Sequence, residues 1–185
     1  LFIVSGLMIF TSPTTPAKAT ITGDTYSGSG DWVIANPTVY TSETLTVYGN
    51  ITINDAGSLT LIGTTLTLDQ PTAFARRIYC NGNPGSPYLS VQSGSIIQTT
   101  NATNNHWNAY IRAAGAAANQ GYFLVDNSTI RNIEFDLSSM GRSHINNSTL
   151  NGSGVWAYNM GSAIDAGPLT VYNTIFQNVN TTDAV

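Results

Sequence analysis

The chain has 185 residues, of which 42% are hydrophobic and only 9% charged, with a formal net charge of −4. That length supports one domain with its own core, and hydrophobic residues at this level in strand-like alternation argue against disorder. Six basic residues in total leave no footprint for nucleic acid or for an anionic lipid surface. In place of charge there are 25 Thr, 19 Asn and 17 Ser, so the exposed surface is built from hydroxyls and amides.

Residues 1–19, LFIVSGLMIFTSPTTPAKA, read as a secretory signal. An apolar run from Leu1 to Phe10 is followed by a polar region and by Ala17-Lys18-Ala19, an A-x-A cleavage pattern. Ten apolar residues are too few to span a bilayer, which needs about 20. The chain opens at Leu1 without a basic leader, so it reads as cut upstream.

Residues 20–42 carry Tyr26, Trp32 and Pro37 among glycines before any regular alternation, and read as an N-terminal lead-in or cap. Trp32–Ile34 and Val39-Tyr40 are expected as short strands within it. From residue 43 onward the pattern becomes regular. Four apolar alternations, Leu45/Val47, Ile51/Ile53, Leu59/Leu61 and Leu66/Leu68, are separated by Gly49-Asn50, Asn54–Gly57 and Gly63. A period of two puts each pair on one face of a strand. Strands this short and this closely spaced suit a solenoid better than a sandwich, whose turns come every 8–12 residues or so.

A six-residue unit then recurs, in which an aliphatic residue, a bend of Asn, Ser, Gly or Thr, and a second apolar residue follow one another. Its copies are Leu61–Leu66, Val91–Ile96, Val125–Ile130, Ile145–Leu150 and Val171–Phe176, with first residues 20 to 34 apart. A repeat with inserts of varying length on one side is expected of a solenoid. The Asn or Gly position is expected to bend sharply in left-handed geometry, with Asn amides bonding from one bend to the next. Pro71 to Tyr88 and Asn101 to Asn119 read as loops, and no stretch has the stripe of an amphipathic helix. Cys80 is the single cysteine, so no intrachain disulfide can form, and it is expected to pack as a small hydrophobe.

The segments GNITINDAGSLTLIGTTLTL, VDNSTI and INNSTL resemble the right-handed parallel β-helix proteins of archaeal and bacterial cell surfaces, relatives in fold of the pectate lyases, over roughly residues 43–180. The resemblance implies an all-β, right-handed parallel β-helix over 43–185, incomplete at its C-terminal end. It also implies a secreted or cell-surface location. The fold hosts lyases, hydrolases, adhesins and structural rods, so it does not choose among them.

For chemistry, Glu134 and Asp136 are expected side by side on the outer face of a strand, with Ile133, Phe135 and Leu137 facing inward. At a rise of about 3.3 Å per residue the two stand roughly 6–7 Å apart, within the range glycosidases use and also able to hold Ca²⁺. The resemblance to pectate-lyase-like enzymes implies an Arg base near clustered Asp carboxylates, for which Arg131 comes closest, while a solvated outer face without chemistry is the simpler account. Trp107, Tyr110, Trp156 and Tyr158 are candidates for stacking on sugar rings, although aromatics also stack on one another. Seven N-x-S/T sequons occur, of which Asn50, Asn101, Asn151 and Asn180 are the glycan candidates. Asn127 and Asn147 fall on the recurring bend, where a structural role is favoured. His106 and His144 are too far apart in sequence to give a metal-ligand spacing.

The favoured expectation is a non-catalytic surface module with a structural, adhesive or carbohydrate-contacting role. A polysaccharide lyase or glycoside hydrolase, and the N-terminal part of a larger surface protein, are the alternatives. No cofactor is expected beyond Ca²⁺, and the partner would be an extracellular polysaccharide.

Overall fold

The computed structural model describes residues 18–54, 56–72, 75–81, 88–100, 109–113, 122–136, 143–153, 155–156 and 169–178. Among them there is no helix, and of the leader expected at 1–19, residues 1–17 lie outside them. No helix is long and apolar enough to cross a membrane among the described residues.

The strands follow one rule. After β1 (Thr20–Thr22), every third strand joins the same sheet. The first sheet takes β3 (Pro37–Thr41), β6 (Ser58–Ile62), β9 (Tyr88–Gln92), β12 (Tyr122–Asp126), β15 (Ser143–Asn146) and β18 (Leu169–Tyr172). The second takes β4 (Thr44–Val47), β7 (Thr65–Leu68), β10 (Ile96–Thr99), β13 (Thr129–Arg131), β16 (Thr149–Asn151) and β19 (Ile175–Gln177). The third takes β2 (Trp32–Ile34), β5 (Ile51–Asn54), β8 (Arg76–Asn81), β11 (Ala109–Ala113), β14 (Glu134–Asp136) and β17 (Val155–Trp156). All neighbours within the sheets are parallel except β1, which runs antiparallel to β3 at the first sheet's edge.

Register makes like stand on like. Tyr40, Leu61, Val91, Val125, Ile145 and Val171 form one in-register column of the first sheet, and five of the six are the first residues of the recurring unit. In the second sheet the matching column is Leu45, Leu66, Ile97, Ile130, Leu150 and Phe176. The unit starting at Val91 therefore ends inward at Ile97, one residue later than its spacing suggests. Its bend holds an extra residue, with both Ser93 (φ 56°) and Gly94 (φ 81°) left-handed. Ile97 is fully buried while Ile96 is half-buried. Burying such columns in a single cluster from Trp32 to Leu150 contributes about 1.5–3 kcal/mol per large aliphatic side chain, before conformational entropy is set against it.

The bends are left-handed, as their composition demands. Gly63, Asn127, Asn147 and Asn173 turn the chain from the first sheet to the second with φ between 44° and 56°. Asn132, Gly152 and Asn178 turn it from the second toward the third with φ between 53° and 62°. Asn tolerates this region because its short side chain can bond locally. Asn173 Nδ2 donates to Asn147 Oδ1 (3.0 Å), and Asn147 Nδ2 to Asp126 Oδ1 (3.2 Å). At the other corner Asn178 Nδ2 donates to Asn151 Oδ1 (2.8 Å).

Next to the left-handed residue sits a buried hydroxyl. Thr64 Oγ1 accepts the Glu43 amide of the preceding repeat (3.3 Å) and donates to the carbonyls of Tyr40 (3.0 Å) and Ile62 (3.2 Å). Ser95 Oγ in turn accepts the Thr64 amide (3.1 Å), and Ser148 Oγ the Ser128 amide (3.2 Å). Ser153 Oγ accepts the Ile133 amide at the other corner (3.2 Å). Each hydroxyl satisfies a buried backbone donor that the turn takes out of the ladder, where an unmet group costs about 1–3 kcal/mol.

Two expected loops contain strands. Arg76–Asn81 is β8 and Ala109–Ala113 is β11. Ile78 and Cys80 are buried in register on Ile51 and Ile53. Two adjacent arginines and a nearby Pro-Gly run mask that alternation in the sequence. Thr64→Val, which keeps the shape and deletes the hydroxyl, is expected to cost about 1–3 kcal/mol in urea unfolding. Thr44→Val, at an exposed strand position, should stay within about 0.5 kcal/mol. Equal effects would mean that the buried hydroxyls do not support the bends.

Candidate functional site

The third sheet carries most of the chemistry-bearing residues. Along β8 the inward phase is Ile78 and Cys80, which leaves Arg77 and Tyr79 on the opposite phase and half-buried. Arg77 Nη1 donates to the Tyr79 hydroxyl (2.7 Å), and its guanidinium carbon lies 6.0 Å from the Tyr79 ring centroid. The Arg77 amide donates to Asn50 Oδ1 (3.1 Å), tying β8 to the turn before β5.

Register extends this phase along the sheet. Arg77, Tyr110 and Glu134 are successive partners, and so are Thr52, Tyr79, Arg112, Asp136 and Trp156. Neighbouring strands lie about 4.8 Å apart, so β8 to β17 spans roughly 14 Å. Two aromatic positions predicted from sequence, Tyr110 and Trp156, and the carboxylate pair Glu134/Asp136 thus fall on adjacent strands of one sheet. Arg77 and Arg112 join them, and sequence reading passed both over. Arg77 precedes the buried Ile78 and Arg112 follows Ile111, the register partner of Ile78, which is the signal that would have found them.

Other candidates fall elsewhere. Arg131 is on β13 of the second sheet, in register with Gln98 and Asn151. It lies three residues from Glu134, but the left-handed corner at Asn132 (φ 56°) turns the chain between them. Glu134 departs from its expected exposure: it is only 6% accessible, beside the fully buried Ile133. A carboxyl so covered is not open to a polymer arriving from solvent. His144, in β15, is half-buried in register with Leu124 and Thr170. Trp107, Tyr158, His106, Leu137, Asn101 and Asn180 lie outside the described residues.

Two glycan candidates are engaged by the framework. Asn50 Nδ2 donates to Asp31 Oδ1 (3.2 Å) while its Oδ1 accepts Arg77 N–H (3.1 Å). Asn151 Oδ1 accepts from Asn178. Among the described residues no group of three or more His, Cys, Asp or Glu could hold a metal ion.

Cys80 is in the inward phase of the same sheet. Its burial pushes the thiol up from an ordinary 9.0 to about 12, so it packs as a neutral hydrophobe. Comparison with protein-family models, with curated proteins and with solved structures finds no match for this chain.

Because the folded thiol holds its proton longer than the unfolded one, Cys80 stabilises the fold fully below about pH 9, and that stability is lost as pH rises toward 12. The loss has a ceiling of about 1.4 kcal/mol per pH unit. Tyr40, raised chiefly by burial, acts in the same direction. Urea unfolding between pH 8 and about 10.5 should therefore show a shallower decline for Cys80→Ala than for the native chain. Native Cys80 should also resist iodoacetamide until denatured. Rapid alkylation of the folded protein would contradict the buried assignment.

Proposed function

We propose that the chain is a secreted, cell-surface right-handed parallel β-helix module that contacts carbohydrate without cleaving it. The three-strand cycle supports the β-helix reading, because each repeat adds one strand to each of three sheets. The apolar leader-like run at residues 1–10 and the scarcity of charge support export.

The observation that carries the carbohydrate reading is the Arg77–Tyr79 pair, half-buried and continued in register by Tyr110, Arg112, Asp136 and Trp156. The C–H face of a pyranose ring packs on an aromatic face, while guanidinium donors suit ring hydroxyls and uronate carboxylates. The β8 and β11 positions, ahead of the covered Glu134, span one strand spacing of about 4.8 Å, the scale of a single sugar ring. The burial of Glu134 and the placement of Arg131 on another sheet favour binding over lyase or hydrolase chemistry.

A polysaccharide array, read for binding and for released product with and without Ca²⁺, tests this reading. Binding without product is expected, weakened by Tyr79→Ala or Arg77→Ala by about tenfold, which corresponds to roughly 1.4 kcal/mol. Product release abolished by Glu134→Gln would establish the enzymatic alternative instead. Binding untouched by both β8 variants would move the contact face elsewhere.

A further inference from the structure

The sequons on the recurring bend are not equivalent. Asn147 is engaged on both sides of its carboxamide, donating through Nδ2 to Asp126 and accepting from Asn173. The chain of amides passes to Asp126, and so bypasses Asn127. Asn127 is exposed and left-handed (φ 45°). Its backbone is fixed, with its N–H donating to the Asn146 carbonyl (3.1 Å) and its own carbonyl accepting the Gly94 amide (2.6 Å). Its carboxamide has no hydrogen-bond partner among the described residues.

Space favours the same position. The residue bonded to Asn127 from the preceding repeat is Gly94, where an added Cβ would meet nothing within 4 Å. The preceding first-to-second-sheet bend carries Gly63, where a Cβ would meet nothing closer than 3.7 Å. Asn127 therefore faces a stretch of the bend row that lacks bulky side chains. Asn50 and Asn147 each have both carboxamide atoms engaged, and Asn151 sits between Arg131 and Gln177 in its sheet.

From this we infer that Asn127 is a site of N-linked glycosylation, the one bend sequon that carries an oligosaccharide in the folded protein. The inference rests on the chain being exported, as the functional reading holds. The host's transferase forms a bond from Nδ2 to the anomeric carbon of a lipid-pyrophosphate-linked oligosaccharide, breaking that donor's anomeric C–O bond so that the lipid pyrophosphate leaves while Nδ2 gives up one proton. At Asn127 that N–H holds nothing in place. At Asn147 the substituent would have to fit between amides bonded on either side. A glycan at Asn127 would stand on the first-to-second-sheet corner, clear of the third-sheet strip.

The test expresses the full chain behind a secretion signal of a glycosylating yeast, so that the export step is supplied by the host. Whether the native leader directs export is measured separately, by fractionation without the added signal. Modified sites are mapped by mass spectrometry on the protease-resistant protein after enzymatic release in heavy-oxygen water. Asn127 is expected to be modified, with Asn50 and Asn147 unmodified. Asn127→Gln and Thr129→Ala, which destroys the sequon but keeps the asparagine, should each remove the mass of one glycan. An unmodified Asn127, or glycans on Asn50 or Asn147 in folded protein, would overturn the assignment.

Discussion

In a parallel sheet no strand can pair with its immediate neighbour in the chain across a tight turn. Every N–H and C=O must be met by a strand one repeat earlier or later, so the structure depends on each repeat arriving in the same register. The corners set that register. A left-handed residue makes the bend, a buried Ser or Thr beside it accepts an amide from the repeat before, and backbone bonds such as Asn132 N to Asn151 O (2.9 Å) and Gly152 N to Gln177 O (2.8 Å) join one corner to the next. A slip of one residue would exchange buried columns for exposed ones along a whole strand.

This division of labour explains why insert length is free. The recurring units start 20 to 34 residues apart in the sequence, and lengthening a loop costs little, about 0.6 kcal/mol per doubling. The bends themselves are held to a narrow length, and the extra residue at Ser93-Gly94 is absorbed by a second left-handed residue rather than by a shift in register. The same arrangement places side chains that are distant in sequence, such as Arg77 and Glu134, in one column of one sheet, and separates Arg131 from Glu134 by a corner. Proximity along the chain is a poor guide to a site on such a framework. Register is the better one.

The parts of the fold that could be read directly are those where apolar alternation runs without interruption. Residues 43–69 contain β4, β5, β6 and β7 as their alternation implies, and Leu61, Val91, Val125, Ile145 and Val171 fall in one column as the recurring unit implies. The strands β8 and β11 were hidden because Arg and Tyr alternate with their apolar residues and their flanks are rich in Gly, Pro or Ala, which reads locally as loop. Glu134 was misjudged in exposure for a related reason: strand phase gives the side on which a residue sits, and not what covers it. The bend sequons were recognised as structural as a class, but only side-chain partners and the glycines beside them separate Asn127 from Asn147.

The most direct test of the framework is the register at the irregular bend of Ser93-Gly94. With methyl-labelled isoleucine and leucine, nuclear Overhauser contacts should link Ile97 to Leu66 on one side and Ile130 on the other, the partners given by the parallel pairing of β7, β10 and β13. Ile96 should lack these contacts and remain open to a paramagnetic probe in solvent. If Ile96 instead contacts Leu66 and Ile130 while Ile97 is exposed, the extra residue has been placed in the strand rather than the bend. The stacked register on which the whole account rests would then be contradicted.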